Sequence, residues 1–276
     1  MLNAALQEIV EYRGVEGLVA AEVLTDDDNE GYTTGSVFAV AGVAEISKTT
    51  DSSNEAHYYD NMPAVVVSNT SSDTITISAS AIPLDVLAEI TGQNYDTGTG
   101  ALIEGPRDLK YFAIGYKTKK TNGDEMYVWR YKGTFNIPDQ TNSTENDSTD
   151  ANGQEIVYTG ISTTHKFEQT GKGAKALVVD VAKGLADVST FFDVVTTPDT
   201  LQAATQRTVT ITQAANTTVL VKKGNTVISS GDKVNDGDPL TITVTGGTVT
   251  VNGTDFISGN IHVVSGNVAI VSTAGA

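Results

Sequence analysis

Short β-branched runs cut by Gly, Asn, Asp and Pro recur along this 276-residue chain. "SVFAVAGVAEI" at 36–46, "AVVVS" at 64–68 and "DTITISA" at 73–79 are strand signals, because branched side chains suit a pleated, half-buried surface. "LKYFAIGYKTKKTNGDEMYVWRYKG" reads as one hairpin with Asn122-Gly123 in its turn. "EIVYTGIS" and "AKALVVDVA" supply two more strands. Helical spacing is confined to two places. "IPLDVLAEI" (82–90) has apolar residues at 84, 87 and 90, and "LADVSTFFDVV" (185–195) places Leu185, Val188 and Phe192 on one face. The expected fold class is therefore all-β with one or two short helices.

Near residue 197 the composition shifts. The rest is Thr- and Val-rich and almost free of aromatics, with "RTVTIT", "NTTVLVKKG", "LTITVTGG", "VTVNG", "IHVVSG" and "VAIVST" spaced by turns. Short strands at that spacing predict an immunoglobulin-like β-sandwich. The expected division is a first domain over 1–198, a linker at 199–204 and a second domain over 205–276. Within the first, "DQTNSTENDSTDANG" (139–153) has Ala151 as its one apolar residue and predicts a mobile surface insertion.

Charge and composition exclude several functions. The chain has no cysteine, so disulfides and thiolate metal sites are absent. No apolar run reaches the roughly 18 residues of a membrane span, and "MLNAALQEIVEYRG" lacks the basic start of a secretory signal. Net charge is −17, and from Thr205 onward four basic residues balance four acidic ones. The excess of acids lies before that point. Such a surface cannot neutralise phosphates, so no specific nucleic-acid binding is expected.

Catalytic patterns are equally poor. His57, His165 and His262 stand far apart, and nothing matches a zinc-protease, nucleophile-elbow or P-loop motif. "GKGAK" (171–175) lacks phosphate-loop spacing. "DDDNEG" (26–31) copies the first half of a calcium loop, but Val37 stands where the bidentate Glu belongs. No catalytic, cofactor or metal residue is assigned, and a non-enzyme is expected.

An ordered series of motifs carries a resemblance. "GVEGLVAAEVLTDD", "FAVAGVAEISKTTDSSNEAHYYDNMPAV", "AIPLDVLAEITG", "YDTGTGALIEG", "PRDLKYFAIGYKTKKTNGDEMYVWRYKGTFNIP" and "FFDVV" span roughly residues 14 to 198. Together they resemble major tail tube proteins of bacteriophages with long non-contractile tails. The resemblance implies a tail-tube β-sandwich or barrel domain over 1–198, with an amino-terminal arm over about 1–35. Hexameric rings of copies would stack into a tube through which DNA passes. The implied partners are the chain itself and the tape-measure, terminator and tail-tip proteins, with no membrane. The implied location is the virion tail, after synthesis in the host bacterial cytoplasm. The second domain resembles bacterial immunoglobulin-like modules of surface proteins. It is expected as an outer decoration with weak contact to host-surface glycans. The alternative function is a bacterial cell-surface binding protein carrying that module as its adhesive part.

The expected interface between stacked rings is the loop His57, Tyr58, Tyr59, Asp60 and Asn61. Buried aromatics contribute large area for little lost side-chain entropy. A second reading of the same rings is a satellite cluster that folds the loop onto its own domain. The rings of the aromatic hairpin (Tyr111, Phe112, Tyr116, Tyr127, Trp129 and Tyr131) are expected to pack the core.

Overall fold

A computed structural model describes residues 9–140 and 153–275. These are mostly strand, with one α-helix, so the chain is all-β. It forms two compact units. The first comprises residues 1–182 and 189–201, and the second 183–188 and 202–276.

In the first unit the elements run β1 (Tyr12–Asp27), β2 (Gly31–Thr34), β3 (Phe38–Ala41), β4 (Val43–Tyr59), β5 (Met62–Ala79) and α1 (Leu84–Thr91). Then come β6 (Asn94–Asp96), β7 (Ala101–Ile103), β8 (Phe112–Lys120), β9 (Glu125–Phe135), β10 (Gln154–Ile161) and β11 (Ala176–Asp180). Nine strands share one sheet in the order β2-β1-β8-β9-β10-β5-β4, with β3 added to β1 and β11 to β9. β6 and β7 pair separately.

The sheet curls around a core that draws Leu18 and Ala20 from β1, Ile75 and Ile77 from β5, Phe112 and Ile114 from β8, and Ile156 and Tyr158 from β10. Leu87 and Ile90 of α1 close one side. That helix ends at Gly92, whose φ of 70° suits glycine, and a Cβ there would lie 1.9 Å from the Asp108 carbonyl oxygen.

The opposite face of β9 is buried as well. Tyr131 stacks near Tyr32 and Phe167, while Tyr127 and Trp129 meet Phe191 and Phe192. Of the hairpin rings expected in the core, Phe112, Tyr116, Trp129 and Tyr131 are buried, whereas Tyr127 is half-buried and Tyr111 is exposed.

Several expectations need correction. The run 36–46 is two strands, because Gly42 interrupts it and exchanges hydrogen bonds with Ser80. One half, β3, joins β1, and the other, β4, joins β5. Residues 12–27 and 31–34, expected within an amino-terminal arm, are sheet strands, with β1 held along β8 from Tyr12 to Glu22. The second helix does not form. Residues 189–195 are turns, since the Phe191 carbonyl accepts from Trp129 Nε1 at 2.7 Å and from the Thr196 hydroxyl at 3.1 Å instead of a helical amide. The expected insertion 139–153 lies outside the described residues except at its ends, where Asp139 bridges to Glu155.

The second unit contains β12 (Gln206–Thr212), β13 (Thr218–Lys223), β14 (Thr226–Ile228), β15 (Lys233–Asn235) and β16 (Pro239–Thr245). It continues through β17 (Gly247–Val251), β18 (Thr254–Phe256), β19 (Ile261–Val263) and β20 (Val268–Ala274). A five-stranded sheet, β15-β12-β20-β17-β18, and a four-stranded sheet, β14-β13-β16-β19, share one aliphatic core. Alternating Leu240, Ile242 and Val244 of one sheet and Val249, Val251, Val268 and Ile270 of the other fill it. This is a β-sandwich in which β12 and β20 run parallel. The stretch 199–204 does not separate cleanly. Leu201 closes a turn back to Thr197 in the first unit, whereas Ala203 bridges to Ala186 in the second.

Candidate functional site

β4 and β5 form a hairpin that outruns its sheet. From Asp73 to Ala79, β5 pairs with β10 on one edge and β4 on the other. Beyond Asp73, among the described residues, the pairing continues only with β4, from Ser52 opposite Thr70 to Tyr59 opposite Met62. The outer half is thus a two-stranded ribbon, and nine residues at about 3.3 Å each give it a reach of about 30 Å. The polar run around residues 47–56, which looks like a connection, is strand because its Thr and Ser residues pair across the ribbon. Register shifts at Thr50/Ser52 and His57/Tyr58 twist it locally.

The structure places all five expected residues at the ribbon's end. His57, Tyr58 and Tyr59 finish β4, and Asp60 and Asn61 alone make the turn. Their φ values are 50° and 63°, the left-handed conformation of a two-residue I′ connection, which Asp and Asn tolerate better than other side chains. The satellite-cluster reading fails on exposure. Tyr58 is 66% exposed, Tyr59 64% and Met62 68%, so none is covered by the described residues of its own unit. Val65 and Val66 add to the exposed apolar surface. A free two-stranded ribbon is marginal in water, and this one carries several exposed large apolar side chains near its end.

No protein-family model matches this chain, and neither does any curated protein. The tail-tube resemblance therefore rests on the quoted motifs.

The root of the ribbon is held by charge. Asp73, 4% exposed, accepts from Arg130 Nη1 at 3.1 Å and from Lys175 Nζ at 3.3 Å, with Lys48 Nζ at 3.9 Å. Arg130 also donates from Nε to the Tyr116 hydroxyl at 3.3 Å. Burial alone would raise the Asp73 pKa, but hydrogen bonds from Thr50 and Lys175 and the nearby lysine charges outweigh it and hold the carboxyl below its ordinary value. Lys175 in addition donates to the Ser71 carbonyl, where β5 enters the ribbon. The basic look of "GKGAK" thus reflects a lysine engaged in structure. Sequence reasoning missed this cluster. Its one signal was Arg130, a cation between Trp129 and Tyr131 in the aromatic middle of β9.

The acidic turn at 26–28 is likewise engaged. Asp26 pairs with Lys132 and accepts the amides of Thr164 and His165. Burial opposes its charge, yet these donors keep its pKa below the ordinary value. Asp27 accepts the amides of Asn29 and Glu30, and Asp28 pairs with Lys166 at 2.8 Å. No group of metal ligands occurs among the described residues. His165 meets Phe167 edge-on, whereas His262 lies in the second unit against Phe256. No helix among the described residues is long and apolar enough to cross a membrane.

Proposed function

We propose that this chain is the structural subunit of a bacteriophage tail tube. Copies would associate into hexameric rings that stack into the conduit for DNA, in the tail of a virion built in the host cytoplasm. The observation that supports this reading most is the β4–β5 ribbon, whose Tyr58, Tyr59 and Met62 are left exposed by the described residues of their own unit. Its hydrogen-bonded pairs and apolar tip suit an extended contact between copies. A head-to-tail contact of that kind propagates into rings or filaments.

The charge distribution is consistent with the role. Five basic and five acidic residues balance in the second unit, so the whole −17 excess belongs to the first. Carboxylates near a bore would repel a passing duplex over a screening length of about 8 Å. The second unit serves as an outward module that touches host-surface glycans weakly. Tape-measure, terminator and tail-tip proteins complete the partner set. Negative-stain electron microscopy of the purified chain tests the proposal: rings or tubes are expected, and a monodisperse monomer at high concentration overturns it.

A further inference from the structure

The first unit carries a cavity of about 630 Å³ between the start of β1, the root of β4 and the β8–β9 pair. That volume falls in the roughly 300–1,000 Å³ range of pockets that enclose a ligand. Its walls are apolar where Val15, Ile46, Met126 and Val178 meet it, and cationic where Lys48 and Arg130 do. Around that cationic corner Lys48, Arg130 and Lys175 share Asp73, and Glu45 is the one further acid on the lining. One positive charge is left over, in a chain of net charge −17.

The ribbon has the opposite character. Residues 51–72 contain Asp51, Glu55 and Asp60 and no lysine or arginine. At its end Tyr59 stands directly opposite Met62, with Asp60 next in the turn. An aromatic–thioether pair beside a carboxylate matches an apolar cavity with a cationic corner. The tip cannot fill the cavity of its own chain, because Tyr59 and Met62 are exposed at the far end of the ribbon.

We propose that the cavity is the receptor for the ribbon tip of a second copy of this chain, with Tyr59 and Met62 in the apolar part and Asp60 toward Lys48 and Arg130. This rests on the reading of the ribbon as a self-assembly element and names where it lands. Donor tip and acceptor cavity are different surfaces, so each copy gives one contact and receives one. The association is head-to-tail and does not self-terminate in a pair.

The test replaces Tyr59 with photoreactive benzoylphenylalanine in the full chain and mixes ¹⁵N-labelled with unlabelled copies. Irradiation is followed by digestion and mass spectrometry, with microscopy of the same sample. Heavy–light cross-links from residue 59 to peptides containing Val15, Met126 or Val178 are expected. Asp60→Lys should lower their yield about tenfold, because it sets like charges against each other. Tubes whose cross-links fall elsewhere, or that give none, overturn the receptor and leave the tube reading standing. Cavity cross-links without tubes support the receptor and remove the tube. Neither tubes nor cross-links overturns both.

Discussion

Arg130 and Asp73 form an ion pair at 3.1 Å at the rung where β5 leaves its sheet and becomes half of a ribbon. Both residues are nearly buried, and two lysines crowd the same carboxylate. The cluster ties the root of the ribbon to β9. Removing Asp73 leaves Arg130 charged and desolvated, which is the expensive way to break a buried pair. Asp73→Ala is expected to destabilise the first unit by about 3–5 kcal/mol. Urea denaturation followed by tryptophan fluorescence measures it, since Trp129, the chain's one tryptophan, lies in that unit. A loss under about 0.5 kcal/mol, the range of ordinary surface substitutions, would show that the cluster does not anchor the ribbon.

Asp26 and Asp73 both have pKa values below the ordinary carboxylate value of 3.8. A carboxylate depressed in the folded state contributes stability above its unfolded pKa. That contribution disappears as pH falls through the folded value. The first unit is therefore expected to keep a flat melting temperature from pH 7 to about pH 5 and to lose stability below about pH 4. Asp26→Asn should flatten part of that acid limb. A melting temperature that rises on acidification would contradict the assignment.

Replacing both Tyr58 and Tyr59 with Ala should leave the monomer folded, because both rings are mostly exposed. Assembly should weaken by about 2 kcal/mol or more per anchoring ring. Sedimentation velocity and microscopy read the two effects apart. Normal tubes from the double variant would remove the tip from the interface.

A chain ending at Leu201 is expected to fold. Ending at Pro198 is expected to be worse, since it deletes Asp199, whose carboxylate accepts the amides of Glu168 and Gln169 at 3.0 Å. Thermal melts of the two truncations compare them. Equal melting temperatures would show that the Asp199 contacts contribute nothing.

Gly133 sits on β9 beneath Tyr158, whose hydroxyl donates to the Phe112 carbonyl at 2.8 Å. A Cβ at Gly133 would lie 2.4 Å from Tyr158 Cζ and 2.5 Å from the Thr159 carbonyl oxygen. Gly133→Ala should cost about 1–3 kcal/mol through overpacking, read by the same urea titration. A neutral result would mean that β9 and β10 shift apart at little cost.

The sequence by itself determined the local features: β-branched runs between turn residues, the Asn122-Gly123 hairpin, the short helix after Pro83 and the aliphatic sandwich beyond residue 202. These follow from backbone preferences and two-residue alternation, which act over a few positions. It also placed the rings His57, Tyr58 and Tyr59 beside a turn at Asp60-Asn61. Only the tertiary structure decided that the strand continues through the polar stretch 47–56, because strand pairing there depends on partners ten to 29 residues away. Only tertiary contacts turned Phe192 from an expected helix face into part of a cover for β9, by bonding the carbonyl of its neighbour Phe191 to Trp129. Charge was the least legible. Lys48, Asp73, Arg130 and Lys175 are scattered over more than 120 positions, and nothing local marks them as one cluster. Burial decides it, because a desolvated carboxylate must find its cations wherever the fold delivers them.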